Sequence, residues 1–196
     1  MKDTARPENP TPIAEGDIYA ACKAFVLAYA LPALEPDVVF QGWQNRAALP
    51  EGTEEYACIS VISSARHGTT VERFSAPDSD PAAPGLLDVS ALTRVGVMVE
   101  FCSAGDAARL RAQRFAVVAR SSVGVQFFND YGLSCLYADE VREHCFKGDA
   151  RQFVRRYSTV LHLSLWSGDR VEVPYFDTAS LARFENVDVH HNPGKR

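Results

Sequence analysis

Tyr157-Ser158-Thr159-Val160-Leu161-His162-Leu163-Ser164-Leu165 decides the fold class. Tyr157, Thr159, Leu161, Leu163 and Leu165 occupy every second position, alternating with Ser158, Val160, His162 and Ser164. A period of two sends the first set to one face of an extended chain and the second set to the other. One face is apolar and has to be covered, so the segment reads as a long antiparallel strand. Val171 to Tyr175 either extends it or pairs with it across Ser167-Gly168-Asp169.

Working outward, other segments share this extended character. Tyr56 to Ser64 is rich in apolar and β-branched residues and reads as a strand, with Thr69 to Phe74 pairing back on it across Arg66-His67-Gly68. Val89 to Cys102 holds a second strong strand at Val95 to Phe101. Val38 to Gln41 is a short strand, and Val123 to Phe128 and Leu133 to Tyr137 are strand candidates around the turn Asn129-Asp130-Tyr131-Gly132. The stretch from Ala138 to Gln152 is polar and gives no clear signal. Leu181 and Phe184 suit a short helical turn, and Val187 with Val189 a last edge strand.

Two segments read as helices. Ile18, Cys22, Phe25, Val26 and Tyr29 share one helical face, with Asp17 as the cap and Pro32 and Pro36 closing the helix. Ser103 with Asp106 resembles a capping box for an alanine-rich helix that reaches about Arg120. Two helices with hairpin-spaced strands predict an α+β fold, an antiparallel or mixed sheet packed against two main helices.

The chain has 196 residues, 46% hydrophobic and 23% charged. That length supports one domain with a sizeable core, here 17–189, between a flexible arm over 1–16 and a tail over 190–196. Pro77, Pro81, Pro84 and Gly85 make 75–86 a long loop within that domain. The start of the chain has no apolar run, so it reads without a signal peptide, and no stretch is long enough to span a bilayer. A net charge of -5 with no basic patch argues against nucleic acid as a sequence-specific partner. Arg109, Arg111, Arg114 and Arg120 read mainly as a solvated helix face. Cys22, Cys58, Cys102, Cys135 and Cys145 lack tight spacing and read as buried thiols in a reducing cytosol, not as a disulfide frame.

Catalytic constellations are weak. Cys135, His144 and Cys145 are a zinc candidate without a close cysteine pair or a fourth ligand. Cys58 or Cys102 with His67 would need an accessible thiolate, yet both cysteines sit in apolar strand patterns. Asp139, Glu140 and Glu143 stand with Arg142 in a wet, mixed-charge run rather than as buried acid–base carboxylates. No phosphate loop or nucleophile elbow is present.

The loop Gln41-Gly42-Trp43-Gln44-Asn45-Arg46 concentrates amide, indole and guanidinium groups. It is either a surface loop with Trp43 tucked beneath it or an interface, since Trp and Arg dominate hot spots and amides give directional hydrogen bonds. Leu49-Pro50-Glu51-Gly52 follows, then the strand from Tyr56. Further on come Leu136-Tyr137-Ala138-Asp139, Gly148-Asp149-Ala150-Arg151-Gln152-Phe153, Val171-Glu172-Val173-Pro174 with Phe176, and Val187-Asp188-Val189. This order resembles the phage neck terminator family, relatives of tail terminator and tail-completion proteins. The resemblance spans most of residues 17–189, and Gln-Asn-Arg is its most specific part.

The resemblance implies a virion or prophage structural protein rather than an enzyme, with no catalytic residues, metal or cofactor. It implies a homo-oligomeric ring, typically a hexamer, at the head-proximal end of the tail. Its partners would be itself, tail-tube proteins and head-connector proteins, in the bacterial cytoplasm during assembly and then in the virion. Gln41, Trp43, Gln44, Asn45 and Arg46 become interface candidates. Glu143 to Lys147 is where this chain departs from the pattern. Two other readings are a small hydrolase-like cytosolic enzyme, which should show a convergent polar pocket, and a ligand-binding module using the apolar sheet face.

Overall fold

The structure, a computed structural model, describes residues 14–32, 35–42, 55–77, 83–103, 106–147 and 153–174. The alternating segment lies in the middle of strand β7, Phe153–Val173, which runs unbroken for 21 residues. Ser167-Gly168-Asp169 is therefore not a turn; these residues lie opposite Ala91, Ser90 and Val89 of β4, Gly85–Ser103. β4 and β7 are antiparallel over their whole paired length, from Gly85↔Val173 to Ser103↔Arg155.

The described residues form a seven-stranded mixed sheet. β1, Val39–Gln41, is parallel to β2, Tyr56–Arg66, and β2 is antiparallel to β4. On the far edge of β7, β5 (Ser134–Ala138) and β6 (Arg142–Lys147) follow one another. β6 comes from the polar stretch that gave no sequence signal. Its residues gain their order from pairing with β7.

β3, Val71–Ser75, departs from the sequence reading. It does not fold back on β2. Arg66 pairs with Thr93 and Val71 with Ser90, so β3 continues the β2 lane along the same edge of β4. Between them His67, Gly68, Thr69 and Thr70 stand opposite only Ala91 and Leu92, an irregularity anchored by His67 N–H donating to Leu92 O at 2.7 Å. The hairpin is instead β3 to β4, turning through the proline-rich loop, of which 78–82 lie outside the described residues.

Among the described residues, three α-helices cover one face of the sheet. α1, Glu15–Phe25, presents Ile18, Cys22 and Phe25 to the core, then winds through one π-helical turn, Val26–Ala30, before Pro32. Its cap is not Asp17. Asp17 is the third residue of the helix, and its carboxylate accepts the Ala14 N–H at 3.1 Å. A carboxylate there serves the same orphan donors and the helix dipole. α2, Ala107–Ala119, starts later than the capping box predicts: Ser103 ends β4 and Asp106 is the N-cap residue, although Ser103 Oγ still accepts the Ala108 N–H at 2.7 Å.

α3, Ser122–Asp130, occupies the segment read as a strand. Val123 and Val125 are exposed, while Gly124 and Phe128, four apart, face inward. Packing has overridden the β-branched preference here. The core centres on Phe25, whose ring meets Tyr29, Phe115, Phe127 and Phe128 at centroid distances from 4.8 to 5.4 Å. The sheet side of that core is Val95, Val97, Val99 and Phe101 with Tyr157, Leu161, Leu163 and Leu165.

The helices cover only part of this sheet. At ~3.4 Å per residue β4 spans roughly 65 Å, against roughly 20 Å for α2 at ~1.5 Å per residue. Core positions on β4 start at Val95 and on β7 end at Leu165. Beyond them β3, Gly85 to Arg94, and Trp166 to Val173 extend as a three-stranded arm.

Candidate functional site

The loop favoured by the sequence begins as expected and then leaves view. Gln41 ends β1, half-buried, in register with Ile59. Gly42 N–H donates to Ile59 O at 2.6 Å, which presses the backbone onto β2. A Cβ on Gly42 would overlap the Ser60 hydroxyl and stand 3.0 Å from its Cβ. Any larger residue here would force Ser60 to shift, so glycine suits this close approach. Trp43, Gln44, Asn45 and Arg46 lie outside the described residues.

Strand register separates the residues considered for chemistry. Cys135 pairs with Leu163 and His144 with Arg156, seven positions apart on β7. That is roughly 23 Å along the strand, far beyond one zinc coordination sphere. His144 Nε2 is hydrogen-bonded to Ser158 Oγ at 2.8 Å. The Cys135 thiol donates to Ala119 O at 3.3 Å, and burial pushes its pKa up to about 11. Cys58 and Cys102 also have raised pKa values, burial first among the causes, so both stay protonated thiols at neutral pH. His67 lies past the far end of β2 from Cys58.

Two members of the acidic run are tied to neighbouring side chains. Asp139 Oδ2 accepts from His162 Nε2 at 3.3 Å, and Glu143 lies 3.6 Å from Arg155, which also meets Asp106 at 2.9 Å. Of the arginines read as a solvated face, two hold the fold together. Arg111 bridges Glu55 and Ala30 O, both at 3.2 Å, and Arg120 donates twice to Ala138 O at 2.7 and 2.9 Å.

Two features escaped the sequence reading. The first is a cluster on the sheet face away from the helices, where the arm begins. Arg94 donates to Tyr137 OH and, at 3.1 Å, to His162 Nδ1. Because a guanidinium only donates, Nδ1 is the acceptor and Nε2 carries the proton given to Asp139. The Tyr137 ring lies 4.4 Å from that of His162, with the Arg94 guanidinium 5.2 Å from the Tyr137 centroid. This cluster pins β5 to β7 and β4 across three strands.

The second feature is the arm itself. Among the described residues, β3 pairs only with β4, and β7 beyond Ser164 has strand pairing only on its β4 side. Among the described residues, two lateral edges at the same height therefore have no strand beside them. Along one face run Phe74, Leu87, Val89 and Val171, with Phe74 49% and Val171 48% exposed. On the other face Asp88 is buried and receives Arg170 Nε at 2.5 Å. A long unbroken run from 153 to 173 without proline was the available signal; the Ser-Gly-Asp triplet obscured it.

These features define a single-sheet α+β protein with a projecting β-arm and open strand edges. The chain belongs to the phage neck terminator protein family, whose model matches residues 16–194. That membership gives it a structural role in the phage neck and tail. Comparison with curated proteins gives no match.

Proposed function

We propose that this chain forms a homo-oligomeric ring, a hexamer, that closes the head-proximal end of the tail tube and joins it to the head connector. The observation that supports this reading best is the arm. An exposed strand edge with half-exposed apolar residues invites pairing with another chain. Open edges on opposite sides suit a head-to-tail contact, the kind that closes into rings. Its partners are other copies of itself, tail-tube proteins and connector proteins, met in the host cytoplasm and kept in the virion. It acts by contact, without catalysis.

Gln41, Trp43, Gln44, Asn45 and Arg46 are proposed as contacts between subunits or at the tail junction. Light scattering and electron microscopy of purified protein test the ring directly. Phage lacking the protein should build tails of uncontrolled length that fail to join heads. A chain that stays monomeric at assembly concentrations, with normal tails in its absence, overturns the reading. Arg46→Glu should change thermal stability by no more than about 0.5 kcal/mol while impairing tail completion. Normal melting with normal tails would remove the loop from the interface.

A further inference from the structure

We infer, resting on the ring reading, that β3 of one copy pairs in parallel with the outer edge of β7 of the next, staggered by two residues. The direction follows from the sheet. β3 and β7 are both antiparallel to β4, so they run parallel to each other. Rotating a copy about an axis to which the strands are tilted brings its β3 beside the first copy's β7 in the same direction. Pairing two β7 edges across a two-fold axis would be antiparallel and would stop at a dimer.

The stagger follows from charge. Within one arm Arg73, Asp88 and Arg170 lie in one row, and Glu72, Val89 and Asp169 in the next. An unstaggered contact would set Arg73 beside the neighbour's Arg170 and Glu72 beside its Asp169. Like charges directly opposite are unfavourable. A shift of one residue would put side chains on opposite faces of the sheet. A shift of two toward the end of β7 sets Arg73 beside Glu172, Phe74 beside Val173 and Glu72 beside Val171. The reverse shift would put Phe74 beside Asp169. Only the first gives an opposite-charge pair and an apolar pair together. Arg73 and Glu172 are exposed and make no ion pair among the described residues. A constant stagger between neighbours is also what closing a sheet around an axis requires.

Charge reversal tests this. Wild type, Arg73→Glu, Glu172→Arg and the double variant are compared by light scattering across concentration, with thermal melts confirming the fold. Each single variant should need about tenfold more protein to assemble, and the double variant should return toward wild type. Arg73→Cys with Glu172→Cys in one chain should give a ladder of cross-linked oligomers on oxidation, whereas Arg73→Cys with Arg170→Cys should not. A wild type that never forms rings overturns the ring reading and this pairing with it. A wild type that forms rings, with singles that assemble normally or a double that stays impaired, overturns the pairing alone.

Discussion

At the residue scale, Phe25 shows how one side chain organises the helix layer. It is fully buried, and its ring touches partners from the π-helical turn, α2 and α3. Phe25→Ala should cost about 3–5 kcal/mol, read as a lower urea midpoint at unchanged slope. Cys22 lies beside it, and burial, reinforced by Cys135, pushes its pKa up to about 12 from an ordinary value of 9.0. The native thiol keeps its proton where the unfolded chain has lost it. Its stabilising contribution is therefore complete below pH 9.0 and falls as pH rises toward about 12. Within that window this group should make stability fall steadily as pH rises. Urea midpoints measured against pH should fall less steeply in Cys22→Ala. Labelling of Cys22 and Cys135 by a thiol reagent at neutral pH should wait on unfolding, since both are protonated and buried.

At the element scale, α3 is the instructive case. Its sequence, with Val123, Val125, Phe127 and Phe128 close together, carries no clean period, so a strand and a helix look alike locally. What selects the helix is contact with α2. A Cβ on Gly124 would stand 2.5 Å from Ala119 O, 2.7 Å from Val118 O and 2.8 Å from Ala119 Cα. These are backbone atoms and cannot rotate aside. Gly124→Ala should then destabilise by about 1–3 kcal/mol despite its better helix propensity. At about 2–4 °C per kcal/mol for a chain of this size, calorimetry should show a drop of several degrees; an unchanged melt would mean the two helices separate freely. Strands with clean alternation, such as Tyr157 to Leu165, were legible because burial on one face writes itself into the sequence. β3 and β6 were not. β3 is largely exposed, as are Arg142, Glu143 and His144 of β6, and the place of both strands comes from backbone pairing with β4 and β7. The arm was hidden for the same reason, while the short strand ending at Gln41 was legible from the apolar run of Val38, Val39 and Phe40.

At the scale of the whole molecule, stability should be graded along β4. Val95 to Val99 are paired on both sides and sit beneath the helices, whereas Leu86 to Ser90 lie in the arm, with no helix over them among the described residues. Hydrogen exchange should be slowest in the first segment and faster in the second, with the difference shrinking when copies assemble. Uniform protection along β4 at low protein concentration would contradict this.

The arm also has a mechanical consequence. From Leu165 to Val173 it reaches roughly 27 Å past the helix-covered core at ~3.4 Å per residue. It is rooted where Arg94, Tyr137, His162 and Asp139 cross-brace three strands. A rigid rod pivoting there by about 5° would swing its tip by roughly 2 Å over that reach. Small rearrangements at the brace are thus magnified into displacements on the scale of a side chain, at the end farthest from the core.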